Sequence, residues 1–305
     1  MLCSPDNRSK KITALLAHTI VTRAAEKTHG TTQITGMTIL DNNLFVVKKN
    51  CPVVEVYDSE TFVFVRLLEN LIHSGFANPM DITSSTENKF LYVISQENGE
   101  SRSAILKCNT AGEGGKMWMA EDDNGRLSTY ESNLIVCFST KRIIIEYTSE
   151  GQTVNIVRLS PGNGFNKLWH AVKLTGTHFV VSHSMLEDGQ RVCVVDIKGS
   201  VLATCEKLPA FPVNIMVKNH FPICLVGQRD EYVIVADAKN NRVLRLSPQT
   251  LQYEDVLIQT NDTQMPVRIC INETKDRLFV GVNSGEYSKP ETWKEGSILI
   301  YNLSK

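Results

Sequence analysis

Polar and charged side chains recur through this 305-residue chain at places where they could act together. Gly36, Asp81, Arg126, His170, Asn214 and Arg268 each stand just before a short apolar run, at intervals of about 45 residues. Asn214 aligns only approximately, because a longer loop follows it. An acid, an imidazole, an amide and two guanidinium groups at equivalent positions suit recognition rather than bond cleavage. The planar donor forks of Arg126 and Arg268 match the oxygens of a carboxylate. Trp169, beside His170, offers a face for stacking or for anchoring a peptide. The plain alternative is that polar residues at strand entries simply meet solvent.

Other chemistries fail on spacing. Ser182-His183-Ser184 ends an apolar run, and no G-x-S-x-G elbow accompanies it, so no catalytic residue is expected. Gly112-Glu113-Gly114-Gly115 is not followed by Lys and Ser or Thr, and it reads as a loop rather than a phosphate cradle. The eight cysteines, Cys3, Cys51, Cys108, Cys137, Cys193, Cys205, Cys224 and Cys270, include no C-x-x-C pair. Most stand singly inside apolar runs, as small buried hydrophobes do, which favours a reducing, cytoplasmic setting. A formal net charge of -1 and a pI near 6.7 provide no global positive field for a nucleic-acid backbone or an anionic membrane. No apolar run is long enough to span a bilayer.

The elements that would carry these residues are short strands. Glu231 to Leu246 shows the unit most clearly: two apolar runs, Tyr232–Ala236 and Val243–Leu246, flank the turn-forming cluster 237–242. Similar hairpins recur six times, each followed by a third and a more variable fourth strand. The inner strand of the fifth repeat is expected at 212–215, with an extra loop around 220–229. No apolar pattern keeps the helical period for more than about two turns. Six repeats with this content predict an all-β, six-bladed propeller of four-stranded antiparallel blades in a single domain over residues 1–305.

The sixth repeat lacks its fourth strand, whereas Ile12 to Arg23 holds one strand-like run without a repeat of its own. Unpaired sheet edges are costly, and a ring removes one by using its first segment to complete its last sheet. Residues 15–21, within a closing segment 12–23, are therefore expected as the outer strand of the last blade, behind a disordered tail at 1–10. Arg8-Ser9-Lys10-Lys11 before that run superficially resembles the start of a signal peptide, but the apolar core is short and contains His18, Thr13 and Thr19.

The hairpin Asp237-Ala238-Lys239-Asn240-Asn241-Arg242-Val243 resembles the NHL repeat, with Asn241 where that family has His. Arg191-Val192 and Arg142-Ile143 sit at equivalent turn exits, and Pro79, Pro212 and Pro266 match the family's proline before the inner strand. The resemblance runs from about Ile34 to Leu303 and implies a propeller that binds a protein or peptide. In such a ring the starts of the innermost strands converge at one channel mouth, which makes Asp81, Arg126, Trp169, His170, Asn214 and Arg268 the expected binding residues. Gluconolactonase-like propellers share the strand pattern and imply a metal-dependent hydrolase as the alternative. Against it, Asp81 is one acid among two arginines, whereas hard cations want several oxygen ligands. No metal and no cofactor are therefore expected. An RNA-binding propeller is the third reading, disfavoured by sparse aromatics and the lack of a dense basic run. A monomer is expected.

Overall fold

A computed structural model describes residues 12–22, 33–69, 78–96, 103–120, 125–184, 190–205, 225–228, 232–248, 250–285 and 296–304. The first described strand is β1 (Thr13–Val21), and six sheets follow the sequence closely. Blade 1 is β2 (Ile34–Leu40), β3 (Asn43–Lys48), β4 (Val54–Asp58) and β5 (Phe64–Leu68). Blade 2 is β6 (Asn78–Ser85), β7 (Phe90–Gln96), β8 (Ser103–Cys108) and β9 (Lys116–Met119). Blade 3 is β10 (Gly125–Tyr130), β11 (Asn133–Phe138), β12 (Ile143–Tyr147) and β13 (Thr153–Arg158). Blade 4 is β14 (Lys167–Thr175), β15 (His178–Ser184), β16 (Gln190–Asp196) and β17 (Val201–Thr204). Blade 5 is β18 (Leu225–Gln228), β19 (Tyr232–Asp237), β20 (Arg242–Leu246) and β21 (Tyr253–Gln259). Blade 6 comprises β22 (Gln264–Asn272), β23 (Arg277–Ser284) and β24 (Gly296–Ser304), and β1 supplies its fourth strand.

All pairings within the blades are antiparallel, and local turn chemistry sets them. Asp41 and Asn42 both take positive φ, 48° and 60°, which joins β2 to β3 with the twist a two-residue hairpin needs. In the β19–β20 hairpin, Asn241 adopts the left-handed conformation at φ 52°. Asp237 holds this turn: it accepts from Arg242 Nε at 2.8 Å and from Asn240 Nδ2 at 2.7 and 2.9 Å. That ion pair is buried, so Asp237 and Arg242 act as a turn lock.

The apolar residues gather into six clusters, one at each junction between neighbouring blades, including the junction between blades 6 and 1. A closed ring requires all six. Closure follows from β1, which pairs with β24 from Thr13 opposite Ser304 to Val21 opposite Ser297. Thr22 then donates through Oγ1 to the Gly296 carbonyl at 2.7 Å, and His18 stacks on Phe62 of blade 1 at 5.0 Å.

One element differs from the sequence reading. The inner strand of blade 5 is β18, within the stretch expected as a loop, and Leu225 lies opposite Val235. Only Leu225 and Val226 are strongly apolar there, and glycine and charged residues follow, so the strand is too short for periodicity to reveal. Residues 212–215 and Asn214 lie outside the described residues, as does the tail at 1–10.

Candidate functional site

The inner strands begin with a shared irregularity. In blades 1, 2, 4 and 6 the register shifts by one residue immediately before Gly36, Asp81, His170 and Arg268. Each bulge leaves one residue (Thr35, Met80, Trp169 or Val267) unpaired and re-aims the next side chain. Blade 3 reaches the same level without a bulge, because β10 starts at Gly125 and Arg126 lies opposite Cys137. Pro79 and Pro266 stand two residues ahead of Asp81 and Arg268. Proline inside a sheet is confined to edges, strand starts and bulges, so these two residues were a legible sign of the irregularity.

Asp81, Arg126, His170 and Arg268 come together, but deeper than a solvent-lined mouth. Asp81, His170 and Arg268 are 2%, 5% and 3% exposed, whereas Arg126 and Trp169 are half-buried. Asp81 is the hub. Its Oδ2 accepts from Leu127 N at 3.0 Å, its Oδ1 accepts from Ile82 N at 3.1 Å, and Arg268 Nε lies 3.5 Å from Oδ1. Arg268 also donates from Nη1 to the Val267 carbonyl at 2.8 Å, and Arg126 Nη1 donates to the Met80 carbonyl at 3.2 Å.

His170 completes the belt. Its Nε2 donates to the Leu127 carbonyl at 3.0 Å, which selects the neutral tautomer with the proton on Nε2. Burial dominates its titration and pushes the imidazole pKa down to about 4; nearby Asp81 opposes that shift, while Arg268 and Arg126 reinforce it. A chain of polar contacts thus runs from blade 6 through blades 2 and 3 to blade 4. Hydroxyl groups continue it along the inner strands. Ser128 Oγ donates to the Ala171 carbonyl at 2.7 Å, Thr129 Oγ1 to the Ser84 carbonyl at 2.8 Å, and Ser84 Oγ to the Ile39 carbonyl at 2.9 Å. Composition gave no hint of these hydroxyls, because serine and threonine are equally common in turns.

This arrangement holds charge in place and leaves Asp81 with its oxygens engaged. Among the described residues no three His, Cys, Asp or Glu side chains are grouped so as to hold a metal ion. No helix among them is long and apolar enough to cross a membrane.

No protein-family profile matches the chain, and no curated protein matches it in sequence. Solved structures do share the fold. The chain is similar to the hydrazine synthase of Kuenenia stuttgartiensis at 14% identity and a TM-score of 0.56, over 81% of this chain and 80% of that one. It is also similar to a chain of a nidogen/laminin complex at 14% identity and a TM-score of 0.54, over 75% of this chain and 80% of that one.

Proposed function

We propose that the 305 residues form one non-enzymatic binding propeller, a monomer of NHL type, whose partner is a protein or peptide. The recognition face is the end of the ring where the inner strands begin. One observation carries this reading: at that level of the inner strands Arg126 and Trp169 are half-buried, whereas Asp81, His170 and Arg268 are buried. Buried Asp81, His170 and Arg268 hold the backbone beneath them. A guanidinium and an indole, each half-buried, suit a partner that presents a carboxylate and an apolar side chain. The nidogen/laminin complex supplies an instance of this fold in a protein assembly. A reducing, cytoplasmic setting accords with Cys51, Cys108, Cys137 and Cys193, which are buried thiols outside any disulfide.

The test compares partner capture by the wild-type chain, by Arg126→Glu with Trp169→Ala, and by Lys89→Glu, which lies at the other end of the ring. The proposal expects the double variant to lose its specific partner by about 1–3 kcal/mol, the range for a lost charge-assisted hydrogen bond. Lys89→Glu and nuclease treatment should leave capture intact. Capture sensitive only to Lys89→Glu would place recognition on the other face, and capture abolished by nuclease would point to RNA.

A further inference from the structure

A cavity of about 510 Å³ opens between blades 3 and 4, away from the channel. The preceding junction, between blades 2 and 3, shows how the same space is closed elsewhere. There the β12–β13 turn is built on Thr148 Oγ1, which accepts from Glu150 N at 3.3 Å and from Gln152 N at 3.2 Å. The turn places Gly151, at φ 79°, over the indole of Trp118, where an added Cβ would lie 2.9 Å from the ring. It also sends Glu150 back onto blade 2, to Lys107 at 2.7 Å and Lys116 at 3.2 Å. An ion pair and a large ring fill that junction.

The β16–β17 turn repeats this build one blade further on. Asp196 Oδ1 accepts from Lys198 N and Ser200 N, both at 2.8 Å, and Gly199 takes φ 83°. The side chains are different. Lys198 stands where Glu150 does, so an acid has become a base. Val157 stands where Trp118 does, since the two pair with Ile144 and Ile105 at equivalent places in their blades. This turn packs on blade 3 through its glycine, where an added Cβ would lie 2.3 Å from the Arg158 carbonyl oxygen, but it carries no acid like Glu150. Lys198 lines the cavity together with Arg158 and Arg191, and no carboxylate among the described residues does so.

We propose that this cavity binds the phosphoryl group of a small phosphorylated molecule. Three cations around one space favour a dianion, and two arginine forks match phosphate oxygens. Hydroxyls of Ser160, Ser200 and Thr204 at the same wall add polar groups suited to phosphate oxygens. The remainder of the lining is Phe165, His183, Cys193, Gly199 and Val201. Phe165 and His183 pack with ring centroids 4.4 Å apart, and Val201 lies beside them. Burial pushes the His183 pKa down to about 4, so this ring is an uncharged surface at neutral pH, not a fourth cation. A cavity of this size suits a small molecule rather than a polymer strand. The floor calls for an ester with an apolar body instead of free phosphate.

The probes are phenyl phosphate and inorganic phosphate, titrated calorimetrically into the full chain at low ionic strength, where exposed charges are least screened. The expected result is binding of phenyl phosphate with a Kd below about 1 mM, and weaker binding of inorganic phosphate. Lys198→Glu copies the neighbouring turn and places an acid beside Arg158. It should weaken phenyl phosphate about tenfold or more, as should Arg191→Gln, with unchanged melting of the free protein. Both side chains are exposed, so neither change threatens folding. Equal affinity for the two probes would overturn the ester and assign the cavity to free phosphate. No binding by the wild type up to about 10 mM, or affinity unchanged in both variants, would overturn the site itself.

Discussion

Arg268 and Asp81 meet across the ring although their blades are not neighbours: Arg268 Nε lies 3.5 Å from Asp81 Oδ1, in the space left by Gly36 of the blade between them. A Cβ on Gly36 would sit 2.7 Å from that oxygen and 2.8 Å from Ile82 N. The glycine is thus required by close approach and not by its dihedrals. Gly36→Ala should cost about 1–3 kcal/mol, the range for overpacking a filled site. Thermal melting measures it, and an unchanged midpoint would show that the belt yields without strain.

Removing one partner of this pair should be worse than removing both. Asp81→Ala leaves Arg268 buried with its charge uncompensated, at a cost of about 3–5 kcal/mol. Asp81→Leu with Arg268→Met should recover most of that loss, since a buried pair exchanged for apolar residues is often neutral. Denaturant unfolding of the three proteins checks this. Equal destabilisation by the single and double changes would argue that the two residues act independently.

Deleting residues before Thr22 removes β1 and bares the β24 edge along its whole length. The truncated protein should melt well below the full chain and self-associate, because an unpaired strand edge recruits other edges. Light scattering alongside calorimetry reads both effects. A monomer with an unchanged melting temperature would mean that the last blade closes without its outer strand.

Stability should fall as acid is added, through two histidines. His170 and His183 both have folded-state pKa values near 4, below the ordinary 6.5, with burial as the main cause. Between about pH 6.5 and 4 the unfolded chain binds protons that the folded chain refuses, so stability rises with pH across that window. The contribution is fully present above 6.5 and lost as pH falls through 4, at most about 3 kcal/mol for each histidine. His170→Gln with His183→Gln should flatten that part of the stability profile, and a profile unchanged by the double substitution would refute the assignment.

The thiols of Cys108, Cys137 and Cys193 should be inert in the folded protein. Burial pushes the Cys108 and Cys193 pKa values up to about 12 and raises that of Cys137 further, so the reactive thiolate is scarce at neutral pH. In native protein these three should react with a thiol reagent on the timescale of unfolding, and in denaturant they should react at once. Rapid native labelling of Cys108, Cys137 or Cys193 would contradict this.

Much of the architecture was legible in the sequence because its signals are local. Alternation of apolar residues shows strand faces, and Asp41-Asn42 or the 237–242 cluster shows where a hairpin must turn. Closure was legible by counting, since a sixth repeat short of one strand and an unassigned first strand answer each other. The inner strand of blade 5 escaped because its four residues, interrupted by Gly227 and followed by charge, carry no periodic signal. The positions of Asp81, Arg126, His170 and Arg268 at one level of the ring followed from the repeat spacing alone.

Their depth and partners did not. The sequence by itself determined the number of blades, the closing strand and the common level of Asp81, Arg126, His170 and Arg268, since repeat spacing and local strand patterns carry these. Only the tertiary structure decided that Asp81 faces Arg268 across Gly36, that bulges bury three of these residues while leaving Arg126 and Trp169 half-open, and that Lys198 joins two arginines in a cavity. Those outcomes depend on which blades pack together once the ring has closed. Burial and charge pairing arise from contacts between distant segments, and one strand's pattern contains no record of what its neighbour blade presents.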